Sequence, residues 1–466
     1  MSDIVEQLRA IVGDRWVLAG ATVPDDYTHD ESLTAEPASP LAVVRPANTA
    51  EVAAILRLAD EDRVPVVARG SGTGLSGACV PVPGCLLVAF DRMQRILEVD
   101  TQNHVAVVEP GVTLAQLDEA LAPHGLFYSV APGESSASVG GNVGTNAGGM
   151  RAIRYGVTRH NVLGLEAVLA GGEVIRTGGK FVKSSAGYDL TQLLVGSEGT
   201  LALVTEVTVK LQPRPVHVAT LLAPFDALRA VTEAVPRLMA TGVAPLVLEY
   251  LDAVTMAGVT RSAGVELAIP DDVQQQAVAY LLVVLESTHE DRLLEDVEEV
   301  GGLLTELGAL DVYVLQPTAG AQLISARERA FYVAKAAGAD DILDVVVPRA
   351  AMTDYLAEVG RLAGDAGAFL AVCGHVGDGN VHISVFLADP DARHELEQSI
   401  IAAGLAAGGA ISGEHGIGTA KLAFFTELED PVKLELQRRI KAVFDPHGIL
   451  GPGRLLQPLD HSASPQ

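Results

Sequence analysis

Apolar and polar residues follow short, regular patterns along the first half of the chain. Val52, Ile55 and Ala59 recur at the spacing of one helical face, and Thr49 stands where the N-cap of that helix would lie. Short runs of β-branched residues predict buried strands, and the spacing after Thr113 predicts a further helix. These further elements are the strands 64–68 and 105–108, the helix 113–121, the hairpin 165–169 with 173–176, and the alternating strand 201–211.

Longer helical patterns alternate with strand patterns in the second half. The predicted helices are 225–241 and 289–307, and the predicted strands are 246–250, 279–285 and 311–315. Pro213 and Pro215 interrupt the chain between the halves, where proline would end a regular element. We therefore divide the chain into an N-terminal helical segment, a first domain, a second domain and a flexible tail, at 1–35, 36–214, 215–457 and 458–466. Both domains mix helices and strands, so the predicted fold class is α+β.

Composition narrows the classes of partner. The 466 residues suffice for two or three domains, and a hydrophobic content of 48% argues against global disorder. Lys and Arg number 32 and Asp and Glu 59, so the formal net charge is −27, which disfavours nucleic acid and anionic membranes. Three cysteines are too few for a disulfide framework, and the N-terminus shows no signal-peptide pattern. We expect a cytoplasmic protein without a membrane span.

Three glycine-rich loops lie in the first domain, with the sequences RGSGTGLSG, PGESSASVGGNVGTNAGG and GSEGT. Glycine permits positive φ and lets backbone N–H groups approach a pyrophosphate. The first loop matches Gly-x-Gly-x-x-Gly after a strand, but Pro81 and Pro83 follow where a dinucleotide-binding helix would begin. By itself this loop fits either a nucleotide site outside that motif or a tight turn. The clustering of three such loops favours a nucleotide cofactor.

Two histidine-bearing loops, GHVGDGNVH and SGEHGIG, stand in the second domain. His375, His382 and Glu414 offer two imidazoles and a carboxylate, which suit a divalent transition metal. His415 stands beside them as a candidate base. The alternative for the first loop is a β-hairpin turn with surface histidines, and Glu414–His415 alone indicates little.

The order and length of these motifs resemble a known group of flavoproteins. RGSGTGLSG, PGESSASVGGNVGTNAGGMRAIRYG and GYDLTQLLVGSEGTLALVTEV look like the FAD domain of the vanillyl-alcohol oxidase/PCMH-type flavoproteins. HVGDGNVH, SGEHGIG and FDPHGILGPGR resemble the FAD-linked oxidase C-terminal domain of the D-2-hydroxy-acid branch. That branch includes glycolate oxidase FAD-linked subunits, D-lactate dehydrogenases and D-2-hydroxyglutarate dehydrogenases. The resemblance covers 36–457 and implies a PCMH-type FAD-binding domain followed by a cap domain, an antiparallel sheet with flanking helices.

The resemblance also implies which residues form the site. The implied cofactor-binding residues are Arg69, Gly70, Ser71, Gly72, Thr73, Gly74, Leu75, Ser76, Pro132, Gly133, Ser136, Ser138, Gly141, Asn142, Thr145, Asn146, Ala147, Gly148, Gly149, Glu198, Gly199 and Val204. The implied ligands of a zinc, manganese or iron ion are His375, His382 and Glu414, supported by Asp378 and Asn380, with His415 as catalytic base. The residues expected to bind the substrate carboxylate are Arg327 and Arg349.

Three positions bear on how far the resemblance extends. No histidine occurs between Val64 and Pro83, where some relatives attach FAD covalently, so we expect a dissociable FAD. Gly451 stands where an asparagine usually reaches the flavin. Ile342 replaces a lysine that members acting on 2-hydroxyglutarate carry two residues before the aspartate at 344. This replacement favours a monocarboxylic substrate, such as glycolate, lactate or a longer homologue.

The expected function is FAD-dependent oxidation of a small D-2-hydroxy acid to its 2-oxo acid. A metal-held hydroxyl would lose its proton to His415, while the α-hydrogen passes as hydride to flavin N5. The electron acceptor stays open among a quinone, a cytochrome, an electron-transfer protein and a dye, and so do homodimer formation and partner subunits. Two other functions stay open, an FAD-carrying electron-transfer subunit of a glycolate oxidase-type complex and a metal hydrolase with structural glycine loops.

Overall fold

The computed structural model of the chain describes residues 2–457, which form two parts with separate sheets. The helices of the first part are α1 (Ser2–Val12), α2 (Thr49–Asp62), α3 (Leu114–Leu121), α4 (Val139–Thr145), α5 (Ala152–Tyr155), α6 (Thr158–Asn161) and α7 (Leu190–Leu194). Its strands are β1 (Val17–Ala19), β2 (Ala42–Val44), β3 (Val66–Arg69), β4 (Leu86–Ala89), β5 (Ile96–Asp100), β6 (Val105–Val108), β7 (Leu126–Phe127), β8 (Val162–Val168), β9 (Val174–Gly178), β10 (Leu203–Lys210) and β11 (Gln212–Pro213).

The second part begins directly after the proline-rich junction. Its helices are α8 (Leu228–Ala240), α9 (Ala253–Ala263), α10 (Asp271–Gln276), α11 (Glu290–Glu306), α12 (Pro317–Glu328), α13 (Ala330–Ala336), α14 (Met352–Ala366), α15 (Pro390–Ala406), α16 (Leu422–Leu428) and α17 (Pro431–Phe444). Its strands are β12 (His217–Phe225), β13 (Val247–Asp252), β14 (Ala279–Ser287), β15 (Tyr313–Leu315), β16 (Asp341–Val346), β17 (Phe369–Gly374) and β18 (Asn380–Phe386). No helix within the described residues is long and apolar enough to cross a membrane.

Two principal sheets support the glycine loops of the first part. One has four strands in the order β1-β2-β4-β3, with β2 and β3 parallel to β4, and the other has five antiparallel strands in the order β5-β6-β10-β8-β9. The chain passes from β3 through the first glycine loop to β4 with no helix assigned between them. The dinucleotide motif with a following helix is therefore absent there, as the prolines predict.

A seven-stranded antiparallel sheet forms the centre of the second part, in the order β15-β12-β14-β13-β17-β18-β16. Successive residues of each strand point to opposite faces, so Leu221 packs with α8, α11, α14 and α15 while Leu222 packs with α9 and α12. Both faces are thereby buried under helices. This arrangement confirms the predicted α+β class and the antiparallel sheet with flanking helices.

Both ends of the described chain belong to the first part. The 1–35 segment is helical only at α1 and in three short 3₁₀ turns, and its strand β1 pairs with β2. After α17 the chain returns, so that Val66 donates to the Ile449 carbonyl at 2.7 Å and Leu450 joins the core of the first part. The end of the second domain expected at 215–457 thus packs against the first part. The expected tail at 458–466 lies outside the described residues.

Candidate active site

The glycine loops of the first part line one elongated cavity. The predicted cofactor residues in its lining are Gly70, Ser71, Gly72, Thr73, Gly74, Leu75, Pro132, Gly133, Ser138, Gly141, Asn142, Thr145, Ala147, Gly148, Glu198, Gly199 and Val204. The amide Nδ2 of Asn142 is buried in this lining and has no hydrogen-bond partner within the described chain. A buried donor of this kind needs an acceptor, so the lining fits a bound dinucleotide such as FAD.

Five predicted cofactor residues lie outside this lining, and four of them form hydrogen bonds within the protein. The Arg69 guanidinium donates to the backbone carbonyls of Asp26 and His29. Among the serines, Ser76 Oγ donates to the His415 carbonyl at 2.9 Å, and the Ser136 carbonyl accepts from Ser71 Oγ. Asn146 Oδ1 accepts from the Arg159 backbone N–H at 2.9 Å, and Gly149 lines a neighbouring second cavity. These residues shape the loops and do not contact the first cavity.

The histidines and the glutamate converge at the place where the two cavities meet. His375 Nε2 lies 3.0 Å and His382 Nε2 lies 3.3 Å from the same oxygen, Oε1 of Glu414. One ligand atom from each of the three residues lies within 4.8 Å of the others. The His415 ring stacks on His382 with the planes 5° apart and the centroids separated by 5.0 Å. Two imidazole nitrogens and one carboxylate oxygen lie close together, and such a donor set fits a divalent metal.

Glu249 is a site residue that the sequence patterns did not reveal. It is completely buried on β13, where Oε1 contacts His375 Nδ1 at 2.6 Å and Oε2 contacts Arg327 Nη2 at 2.7 Å. A carboxylate on the far nitrogen orients a ligating histidine and leaves Nε2 for the metal. A single acidic residue inside the apolar run LVLEYL was the available signal.

Asp344 accepts several hydrogen bonds from the SGEHGIG loop. Its Oδ2 accepts from Ser412 Oγ and from the backbone N–H groups of Gly413, Glu414 and His415, at 2.8–2.9 Å. Asp344 also forms an alternative cluster of potential ligands with His382 and His415. Because its lone pairs are already engaged by these donors and by an Asn380 amide, Asp344 is the poorer metal ligand.

The cluster is arranged to hold positive charge. Burial alone would lower the pKa of His375, but the carboxylates of Glu249 and Glu414 raise it to about 10. Burial would raise the pKa of Glu414, yet His375 and His382 hold it well below its usual range. His415 differs, since burial lowers its pKa to about 4 and leaves it neutral at physiological pH. These shifts favour a positive charge between the carboxylates of Glu249 and Glu414. They also favour a neutral proton acceptor at His415.

The first part of the chain positions the His415 loop. Glu198 accepts from the backbone N–H groups of Ile417 and Gly418 at 2.7 and 2.8 Å. Gly418 has φ of +53°, and a Cβ there would lie 2.0 Å from the Ser76 carbonyl oxygen, so only glycine fits this close approach. Glu198 therefore borders the first cavity and anchors the His415 loop at the same time.

The two predicted substrate arginines have different surroundings. Arg327 is buried in the second cavity, and its Nε has no hydrogen-bond partner among the described residues. Arg349 lies outside both cavities, in a 3₁₀ turn after Pro348, and its Nε donates to the Gly377 carbonyl. Of the predicted supporting residues, Asn380 donates from its side chain to Asp344. The carboxylate Oδ2 of Asp378 has no hydrogen-bond partner within the described chain, and burial raises the pKa of this group to about 6. Of the two arginines, only Arg327 lines a cavity that holds the His375–His382–Glu414 group.

Replacing Asp344 by asparagine should lower the free energy of unfolding by at least about 3 kcal/mol, since its buried hydrogen bonds lose the negative charge of their acceptor and one of the two acceptor oxygens becomes a donor. Urea unfolding of this variant and of Asp354→Asn, an exposed change on α14, measures the difference. Equal midpoints for the two variants would show that the loop does not depend on Asp344.

Comparison with known proteins identifies the family of the chain. Residues 40–178 match the model described as FAD binding domain, and residues 214–455 match FAD linked oxidases, C-terminal domain. The chain belongs to the FAD-linked oxidase family. An uncharacterized FAD-linked oxidoreductase of Mycobacterium tuberculosis is 56% identical, over 97% of this chain and 99% of that protein.

Two relatives with named activities indicate the type of oxidoreductase. A D-lactate dehydrogenase of Archaeoglobus fulgidus is 38% identical over 93% of this chain and 96% of that protein. Glycolate oxidase subunit GlcD of Bacillus subtilis is 37% identical over 89% of both chains. The FAD-linked oxidase is therefore an oxidoreductase of the D-lactate dehydrogenase and glycolate oxidase type. The solved structure of p-cresol methylhydroxylase with substrate bound has the same fold, with a TM-score of 0.81 at 21% identity, covering 97% of this chain and 96% of that chain.

Proposed function

We propose that this oxidoreductase converts D-2-hydroxy acids into 2-oxo acids, with glycolate and D-lactate as the smallest candidates. The convergence of His375 and His382 on one oxygen of Glu414, at the junction of the two cavities, carries the proposal. These three residues would hold a divalent ion, zinc, manganese or iron. The relatives named D-lactate dehydrogenase and glycolate oxidase subunit support this class of substrate.

The protein groups bind the acid and move one proton. Arg327 binds the substrate carboxylate, because its buried Nε is free of protein acceptors. A divalent ion, when bound, supplies a Lewis acid that lowers the pKa of the substrate hydroxyl. His415 is neutral and lines both cavities, so its imidazole accepts the hydroxyl proton.

FAD, held by the glycine loops that line the first cavity, would supply the acceptor for the α-hydrogen and its electron pair, which leaves the substrate with a carbonyl. We place the cofactor in the first cavity. We expect it to bind non-covalently, since no histidine lies in the first glycine loop. Electrons then leave to an acceptor or a partner subunit. Cys79, Cys85 and Cys373 are all free thiols, which fits a reducing, cytoplasmic compartment.

The proposal predicts that D-2-hydroxy acids reduce the flavin of the isolated protein. Under anaerobic conditions a D-acid should bleach the flavin absorbance, whereas its L-enantiomer should act at least about a hundredfold more slowly, because the carboxylate and hydroxyl are held at fixed points. Stopped-flow spectroscopy with D- and L-lactate, glycolate and longer D-2-hydroxy acids provides the measurement. A flavin that stays oxidised with every D-acid would exclude this function.

A further inference from the structure

The second cavity extends far beyond the space that a two- or three-carbon acid needs. It encloses about 430 Å³ next to the His375–His382–Glu414 cluster, a volume within the usual range for ligands of drug size. Most of its outer lining is aliphatic or aromatic. The outer residues are Val254, Gly258, Val259, Ala330, Phe331, Val333, Ala334, Ala337, Ile342, Phe369, Ala371 and Phe386.

The sheet floor of this cavity changes from polar to apolar along its length. Alternate residues of β18 line it in the order His382, Ser384, Phe386, so one strand connects the metal cluster with the apolar end. Four residues along a strand span about 13 Å. The paired positions of β17 follow the same gradient, since Cys373 lies opposite His382 and Phe369 lies opposite Phe386. The polar head of a ligand and an apolar tail would therefore lie on one continuous surface.

Helices α9 and α13 cover this floor with small and branched residues. A Cβ on Gly258 would come 3.3 Å from Val333, so glycine allows the two helices to approach closely. Val254 and Phe369 stand at the apolar rim, where they are 48% and 52% exposed. Exposed apolar groups at the mouth of an apolar cavity favour an apolar ligand.

Fixed positive charge is missing from this outer region of the described cavity. Its only basic side chain other than histidine is Arg327, at the inner end beside Glu249. Ile342 on β16 adds an apolar side chain to this region. The polar exceptions in the lining are the Thr255 and Ser384 hydroxyls, the Cys373 thiol and the Glu328 carboxyl. A distal carboxylate would thus lose its hydration without gaining a cation.

We propose that the preferred substrate is a 2-hydroxy acid with an extended apolar side chain, which this cavity buries; this inference rests on the function proposed above. The acid group binds at Arg327, the hydroxyl binds at the His–Glu cluster, and the side chain lies between β17–β18 and α9–α13. Each buried methylene group should raise kcat/KM about fourfold. The side chain of D-2-hydroxyhexanoate has three more methylene groups than that of D-lactate.

The first test compares three acids with the FAD- and metal-loaded enzyme. We expect kcat/KM for D-2-hydroxyhexanoate to exceed that for D-lactate by at least about tenfold, and D-2-hydroxyglutarate, of similar length but charged, to be poorer still. D-lactate as good as D-2-hydroxyhexanoate, or a preference for D-2-hydroxyglutarate, would overturn the inference while leaving the proposed function intact. No flavin reduction with any of the three acids would overturn both.

A matched pair of variants on α13 tests the same surface. Ala334 lines the cavity and Ala336 is exposed outside it, so Ala334→Phe fills the cavity whereas Ala336→Phe does not. The ratio of kcat/KM values for D-2-hydroxyhexanoate and D-lactate should fall at least about tenfold in Ala334→Phe and stay at the wild-type value in Ala336→Phe. An unchanged ratio in an Ala334→Phe protein that retains its FAD and melting temperature would contradict the proposed location of the side chain.

Discussion

Replacement of His415 by alanine should slow anaerobic flavin reduction by a D-2-hydroxy acid at least about a hundredfold, since loss of a general base typically costs about 10²–10⁴ in rate. His415 is suited to this step because burial keeps it neutral and its ring stacks on His382, within the proposed metal cluster. Its backbone contacts with Ser76 and Asp344 do not involve the side chain. FAD and metal contents should therefore stay at wild-type levels. Stopped-flow reduction measured beside both contents checks the expectation.

Two further variants distinguish a role of His415 as general base from other roles of its side chain. His415→Asn retains a polar side chain without basicity and should be as slow as the alanine variant. His289→Ala, an exposed change in the same part of the chain, should reduce its flavin at the wild-type rate. If His415→Ala retained close to the wild-type rate, the proton acceptor would have to be a different group.

Removal of a metal ligand should have the second large effect. His375→Ala should abolish stoichiometric binding of the divalent ion and, with it, turnover, because Nε2 of His375 is one of the two nitrogens directed at Glu414. Glu249→Gln should weaken metal affinity by a smaller factor of about 10–100, since it removes only the carboxylate that orients His375. Elemental analysis and titration of metal-free protein with the divalent ion measure both effects.

The FAD content of both variants should remain at the wild-type level, because the glycine loops line the cofactor cavity from the other part of the chain. His289→Ala again serves as the surface control. Metal content equal to wild type in His375→Ala, together with intact turnover, would exclude the proposed ligand set.

The regular elements that local sequence patterns predicted lie close to their observed positions. The strand predicted at 105–108 is β6 (Val105–Val108), and the helix predicted at 289–307 is α11 (Glu290–Glu306). Such elements depend on residues that are neighbours in the sequence, so periodicity reports them directly. The N-cap of α2 was wrong by one residue, because the Asn48 side chain, and not that of Thr49, accepts from the Glu51 backbone N–H.

Sequence patterns also indicated which side chains could bind a metal or accept a proton. They did not indicate which other residues contact and orient these side chains. The structure brings His375, His382, Glu414 and His415 together as the two loop motifs suggested. It leaves Arg349 outside, because the turn that follows Pro348 directs its Nε to the Gly377 carbonyl. Sequence spacing carries no information on such a contact.

By itself, the sequence determined the class of the fold, the three glycine loops with their backbone freedom, and the residue types available for binding a cofactor and a metal. These properties reside in single residues or short segments. Only the tertiary structure decided that Glu249 orients His375 and that Glu198 anchors the His415 loop from the other part of the chain. It also decided that the cavity beyond the metal cluster is apolar. These contacts join residues far apart in the sequence, and their positions follow from the packing of whole sheets and helices, which no local pattern encodes.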